Sequence, residues 1–216
     1  MKKDYFRIID SQEKAYWFGF LCADGCIAGD LKSINLDLHI RDIDHIYKFL
    51  TAIESTAQVK VHGDKSQYAR VRVCCKEMAV DLSNLGCTPR KSLSLQYPSD
   101  LILPKEYERD FIRGYFDGDG CLCYSVSRRK RKDRVAGSLY VIRLWFFKLL
   151  GTKEFLSGVA NFLPVDTAIT KHGNSNIYQI KCGGTNKIKA IMNSFYDEES
   201  VSLDRKRDKY ISLINY

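Results

Sequence analysis

Two nine-residue stretches, WFGFLCADG at 17–25 and IRGYFDGDG at 112–120, repeat one pattern. Each has a central glycine (Gly19, Gly114), apolar or aromatic flanks, and a closing Asp-Gly pair, Asp24-Gly25 or Asp119-Gly120. The run before each pair reads as a helix, so both acids fall at helix C-termini. The negative pole of the helix dipole lies there, and it disfavours a carboxylate by roughly 0.3–1 kcal/mol. Placing an acid against that field twice breaks a local rule, and such breaks tend to mark functional sites. A divalent cation would relieve the repulsion.

The elements that must position these acids repeat with the same long period. Residues 11–24 read as a helix with Ser11 as N-cap, and 26–40 as two strands, the second alternating from Ile34 to Ile40. Asp42 stands at the start of the helix IDHIYKFLTAIE, where it reads as an N-cap. A hairpin over 58–75 and a helix over 76–85, ended by Gly86, complete the first half. In the second half Pro104 opens a helix through the second motif, strands fall near 121–127 and 139–149, and Thr152 opens a helix. A hairpin (TAITKHG, IYQIKC) and a helix at 185–196 follow. Each half is therefore αββαββα. Residues 87–103, with Pro89 and Pro98, read as the linker, which divides the chain into 1–95 and 96–216. The expected class is α+β: two pseudo-symmetric halves, each an antiparallel sheet backed by helices on one face.

Charge narrows the partner. The 216 residues carry a formal net charge of +8. Residues 1–103 hold 14 Lys and Arg against 13 Asp and Glu, and 104–216 hold 20 against 13. Much of the excess is one segment, Arg128, Arg129, Lys130, Arg131, Lys132 and Arg134, expected to be a loop that meets a polyanion. Strand alternation turns a second polar set outward: Lys60 and His62, Arg70 and Arg72, Gln179 and Lys181, with Asn35, His39 and Lys148 on neighbouring strands. Any half-buried sheet shows polar groups to solvent. The choice of Arg, Lys, Asn, Gln and His over Glu is what favours nucleic acid, and Asp37 dissents. Eight cysteines form no C-x-x-C knuckle, which argues against a zinc ribbon and for a reducing, intracellular compartment: a bacterial or phage-infected cytoplasm, or an organelle. No apolar run approaches the ~20 residues that span a bilayer, so no membrane partner is expected.

At this point the chain resembles the LAGLIDADG homing endonucleases in their two-motif, monomeric form. The likeness covers both motifs, 95 residues apart, the element order, and a basic element closing each half. It implies two motif helices packed along a pseudo-two-fold axis. Gly19 and Gly114 would allow close approach, and Gly25 and Gly120 the turn out of each helix. The sheets would form a saddle over the major groove of double-stranded DNA. Asp24 and Asp119 would hold Mg²⁺, with Mn²⁺ able to substitute, and cut both strands of a long asymmetric target. The family also places an active-site lysine after the third helix of each half, which falls on Lys91 and Lys206. By looser alignment Asp42 matches a position that contacts active-site water.

The chain departs from the pattern at the motif's first acid, which is Cys22 in the first copy and Asp117 in the second. Arg113 fills a helix position that is usually small, and the sequence offers no reason for it. Rival chemistries fit less well. Asp117-Gly118-Asp119-Gly120 fails as a calcium loop because its fifth and twelfth positions are Cys121 and Arg128. His39, His45, His62 and His172 form no His-x-x-x-His pair, which excludes a zincin. Two serious alternatives keep the fold and change its use. One is an intron RNA-splicing maturase, the other a DNA-binding protein that does not cleave.

Overall fold

The computed structural model describes residues 1–62, 67–130, 139–173, 176–196 and 201–216, of which 127–130, 139, 140, 142 and 143 as backbone only. The first half runs α1 (Gln12–Ala23), β1 (Gly25–Ile27), β2 (Ser33–His39), α2 (Ile43–Ala52), β3 (Val59–His62), β4 (Tyr68–Cys74), α3 (Lys76–Asn84). The second repeats it: α4 (Glu108–Asp119), β5 (Cys121–Lys130), β6 (Leu139–Gly151), α5 (Lys153–Phe162), β7 (Ile169–Lys171), β8 (Tyr178–Gly183), α6 (Thr185–Asn193). A further helix, α7 (Asp204–Ile214), follows. Its counterpart in the first half is a single 3₁₀ turn, Lys91–Leu93.

Both sheets are antiparallel and have the same strand order, β1-β2-β4-β3 and β5-β6-β8-β7. Alternation sets their faces. In β4, Ala69, Val71 and Val73 are buried while Tyr68, Arg70, Arg72 and Cys74 are exposed. The buried faces meet the helices. Trp17 and Phe20 of α1 pack on His45 and Phe49 of α2, and Phe116 of α4 stacks on Phe147 of β6 at 5.3 Å. Fully burying one such ring stabilises the fold by roughly 1.5–3 kcal/mol.

The caps follow the residue chemistry in two places and depart from it in a third. Ser11 Oγ accepts from the Lys14 amide at 3.3 Å, and Thr152 Oγ1 from the Phe155 amide at 3.1 Å. Asp42 occupies the N-cap of α2 but makes no capping bond. Its carboxylate is spent on Arg205, 163 residues away, with Nη2–Oδ2 at 3.0 Å. The basic segment also differs from expectation: Arg128, Arg129 and Lys130 belong to β5, in register with Val141, Tyr140 and Leu139. Arg131, with Lys132 and Arg134, lies outside the described residues.

Candidate active site

The site begins where α1 and α4 cross. A Cβ on Gly19 would stand 1.9 Å from the Phe111 carbonyl oxygen, and one on Gly114 would stand 2.0 Å from that of Tyr16. The contacts are reciprocal: Gly19 faces Phe111 and Tyr115, and Gly114 faces Tyr16 and Phe20. This is the signature of a pseudo-two-fold axis between the helices. Further along the axis a Cβ on Gly118 would meet Ala23 Cβ at 2.4 Å and Asp24 Oδ2 at 3.4 Å. Gly25 and Gly120 end the helices for a different reason than expected. Neither has positive φ. Each is glycine because a side chain would strike its own helix, Leu21 O at 2.7 Å and Phe116 O at 2.5 Å.

The crossing delivers both acids to one place. Asp24 is the C-cap of α1 and Asp119 the last residue of α4. Burial, and then the charge of Asp119, push the Asp24 carboxyl up to about 6. Burial also raises Asp119, against the opposing charges of Lys91 and Lys206.

Two buried lysines answer the helix dipoles. Lys91 Nζ donates to the Gly25 carbonyl. Lys206 Nζ donates to Phe116 O at 2.6 Å and to the Gly120 carbonyl. Lys206 thus sits on the last-turn carbonyls of α4, the end where cations are favoured, and Lys91 on the first carbonyl beyond the C-cap of α1. They are 7% and 3% exposed, so their charges are not surface charges. Burial lowers the Lys206 ammonium to about 8, with Asp117 opposing the fall. Arg90, next to Lys91, holds a left-handed backbone at φ 60°. That conformation is uncommon for a residue with a Cβ and tends to persist at functional sites. The unfavourable field at each acid is therefore partly met by the protein, without a metal.

The donor set fits a hard divalent cation: two carboxylates, one from each half, close enough to couple. Among the described residues no group of three or more His, Cys, Asp or Glu is placed to hold a metal. The remaining ligands of an ion here would come from outside the described side chains, water among them.

The expected recognition residues lie on the outer sheet faces. Lys60, His62, Arg70, Arg72 and Lys181 are exposed, and Asn35, His39, Lys148 and Gln179 half-buried. They form cross-strand rows: Asn35 opposite Arg72, Lys60 and Asp37 on either side of Arg70, and Lys148 beside Lys181. Asp37 is explained by its neighbour, since Arg70 grips it through Nε–Oδ1 at 2.7 Å and Nη2–Oδ2 at 2.5 Å. Arg72 donates to Ser33 Oγ at 3.1 Å. Of the eight free cysteines, Cys26, Cys74 and Cys121 are exposed rather than core residues.

The sequence by itself gives no account of Arg113 and leaves Asp117 without a role. Arg113 is 1% exposed and donates to Val201 O and Phe195 O at 3.0 Å and to Asp110 at 2.7 Å. Asp110, three residues earlier on the same helix, is the signal the sequence does contain. Asp117 is fully buried and accepts from the hydroxyls of Tyr16 and Tyr196 and the amide of Leu203.

No protein-family model and no curated protein matches the sequence. Solved structures do match the fold. The meganuclease I-SmaMI bound to uncleaveable DNA superposes with a TM-score of 0.62 at 11% identity, over 93% of this chain and 89% of that one. The LAGLIDADG homing endonuclease I-LtrWI bound to target DNA gives 0.62 at 10%, over 98% and 90%. I-AabMI, a LAGLIDADG meganuclease bound to uncleaved DNA, gives 0.58 at 11%, over 93% and 90%. At these identities the likeness establishes the fold: the two-half architecture of the LAGLIDADG homing endonucleases.

Proposed function

We propose that the protein is a site-specific DNA endonuclease that cuts both strands of a long asymmetric duplex, with Mg²⁺ held by Asp24 and Asp119. The observation that carries this is the meeting of two carboxylates from repeated helix ends, flanked by two buried ammonium groups. A bound divalent ion would polarise the scissile phosphate and supply a nucleophilic water. The protein's own residues do the rest. Asp24 and Asp119 would hold that ion at the axis, one acid from each half, which suits one cut per strand. Lys91 and Lys206 place fixed positive charge where the phosphate gains negative charge in the transition state, in a site already shielded from water. The rows on the outer sheet faces meet base edges in the major groove, where arginine pairs with guanine and asparagine or glutamine with adenine. Arg72, held by a single neutral contact, is freer for this than Arg70, which must first leave Asp37.

The solved neighbours that are bound to DNA support the partner, and one neighbour was solved on its DNA target with calcium ions, which supports a divalent metal. Retention of both acids favours cleavage over binding alone. The test is a cleavage selection on a library of randomised duplexes with Mg²⁺, followed by Asp24→Asn and Asp119→Asn on the recovered duplex. Each variant should lose double-strand cleavage and keep DNA binding. Cutting of both strands at the parent rate by either would refute the assignment. Tight binding of structured RNA without DNA cleavage would favour the maturase alternative.

A further inference from the structure

We propose that Asp117, the first acid of the second motif, is the positioning residue that sets Lys206 in the active site, so that the two halves hold their lysines by different means. This rests on the nuclease reading above. Asp117 is two residues from Asp119, yet it faces protein rather than the axis. Its Oδ1 accepts from the Tyr196 hydroxyl, and its Oδ2 from the Tyr16 hydroxyl at 2.8 Å and the Leu203 amide at 2.7 Å. Three donors converge on a carboxylate with no exposed surface, which leaves it for structure rather than for a metal.

The Leu203 amide is the important partner. Leu203 is the N-cap of α7, and its carbonyl accepts from the Lys206 amide at 2.8 Å, closing the first turn. Fixing Leu203 therefore fixes the turn that carries Lys206. Arg113, one turn before Asp117 on α4, holds Val201 O and Phe195 O. Helix α4 thus grips the segment leading into α7 at two levels, and Lys206 returns to the Phe116 carbonyl of the same helix. Tyr16 brings the first half into this arrangement. Its proton goes to Asp117, so its oxygen accepts from His45 Nε2–H at 2.9 Å. Burial holds the His45 imidazole far below its usual range, to about 3, which keeps it neutral for that role.

The first half has no such acid. Cys22 stands at the equivalent position, beside Cys87. Cys87, four residues before Lys91, donates only a long S–H bond to Leu21 O, at 3.5 Å. A thiol is a weak donor, whereas bonds to a carboxylate are charge-assisted. Lys206 therefore depends on one carboxylate in a way that Lys91 does not.

The test uses Asp117→Asn and the duplex recovered from the selection, end-labelled on each strand. Cleavage of one strand should slow by roughly 10–100-fold, the usual effect of losing a supporting hydrogen bond behind a reacting group. The other strand should be cut at the parent rate, so that nicked product accumulates, with DNA binding unchanged. In a Lys206→Ala background Asp117→Asn should add almost nothing, while in a Lys91→Ala background its full effect should persist. Equal slowing of both strands, or additivity with Lys206→Ala, would overturn the proposal. A second measurement does not depend on cleavage. Acetic anhydride labelling read by mass spectrometry should modify Lys206 several-fold faster in Asp117→Asn than in the parent, with Lys91 unchanged. An unaltered Lys206 rate overturns the proposal whether or not the protein cuts DNA. Should no duplex in the library be cut, the nuclease reading falls and the labelling decides the positioning role alone. Tyr196→Phe, which removes a single donor to the same carboxylate, carries the same readouts if Asp117→Asn fails to fold.

Discussion

At the scale of single residues, Asp24 is an acid held where the physics resists it. It lies at the negative end of a helix, mostly buried, with a second carboxylate nearby. That resistance is measurable as stability. The folded Asp24 carboxyl titrates at about 6, above the ordinary value of 3.8, so between these values the folded state binds the extra proton. The stability contributed by this group is whole below about pH 4 and is lost as pH rises through about 6. Asp24→Asn abolishes the titration. Its gain in melting temperature over the parent should be near zero at pH 3.5, grow between pH 4 and 6, and then level off. The ceiling is about 3 kcal/mol, from a shift of roughly two pH units at ~1.4 kcal/mol each. A constant difference across that range would show that the carboxylate is not under strain. The two acids are legible in the sequence because the repeat gives each a twin, whereas Lys91 and Lys206 are picked out only through the family resemblance. Arg113, Asp117 and Tyr16 are not legible as a group. Most of their partners lie 79 to 101 residues away, and only the folded chain brings them together.

At the scale of elements, the motif helices are legible down to their contact glycines, since a glycine amid large apolar residues marks a place where another backbone comes close. The crossing sets a sharp test. In Gly114→Ala the new methyl meets the Tyr16 carbonyl at 2.0 Å, and backbone cannot turn aside as a side chain can. The helices must part, at a cost near the upper end for overpacking, about 3 kcal/mol. For a chain of this size that is about 6–12 °C in melting temperature. Gly29→Ala is the control, because nothing lies within 4 Å of the position a Cβ would take there. Equal melting temperatures for the two variants would mean that the helices do not touch through their glycines. Helix α7 is illegible in the sequence for a physical reason. Of DRKRDKYISLI only Lys206 and Leu213 are buried, so the segment shows almost no apolar periodicity. What holds it is polar: Asp117 on Leu203, Arg205 on Asp42, and the Lys206 ammonium on α4. The extension of β5 through Lys130 is hidden in the same way, since a run of basic residues looks like a loop whether or not it is paired.

At the scale of the whole molecule, the halves are joined by more than the helix crossing. Arg205 binds Asp42, and Lys48 binds Asp204 at 2.6 Å, so the start of α7 is tied to the start and middle of α2 in the other half. Two sheets of identical order then each present one polar face, and on the proposed function these are the two reading surfaces. That organisation divides the labour of binding. On the proposed function the cross-strand rows would read bases, and the basic segment from Arg128 to Arg134, which has no counterpart in the sequence of the first half, would meet phosphates. Contacts to phosphates fix position without reading sequence. Each neutralised phosphate adds about 0.9 to the magnitude of the slope of log K against log salt. Replacing Arg128, Arg129, Lys130 and Arg131 by Ser should flatten that slope by ~2–3, fewer than four contacts because not every charge need meet a phosphate. Three of the four belong to paired strand backbone rather than to a loop. The loss of affinity should then be the same for the cleaved duplex and for unrelated DNA, and the base preferences at every target position should survive. A variant that keeps the parent slope would show that this segment faces only solvent. One that shifts the base preferences would show that it reads the groove rather than the backbone.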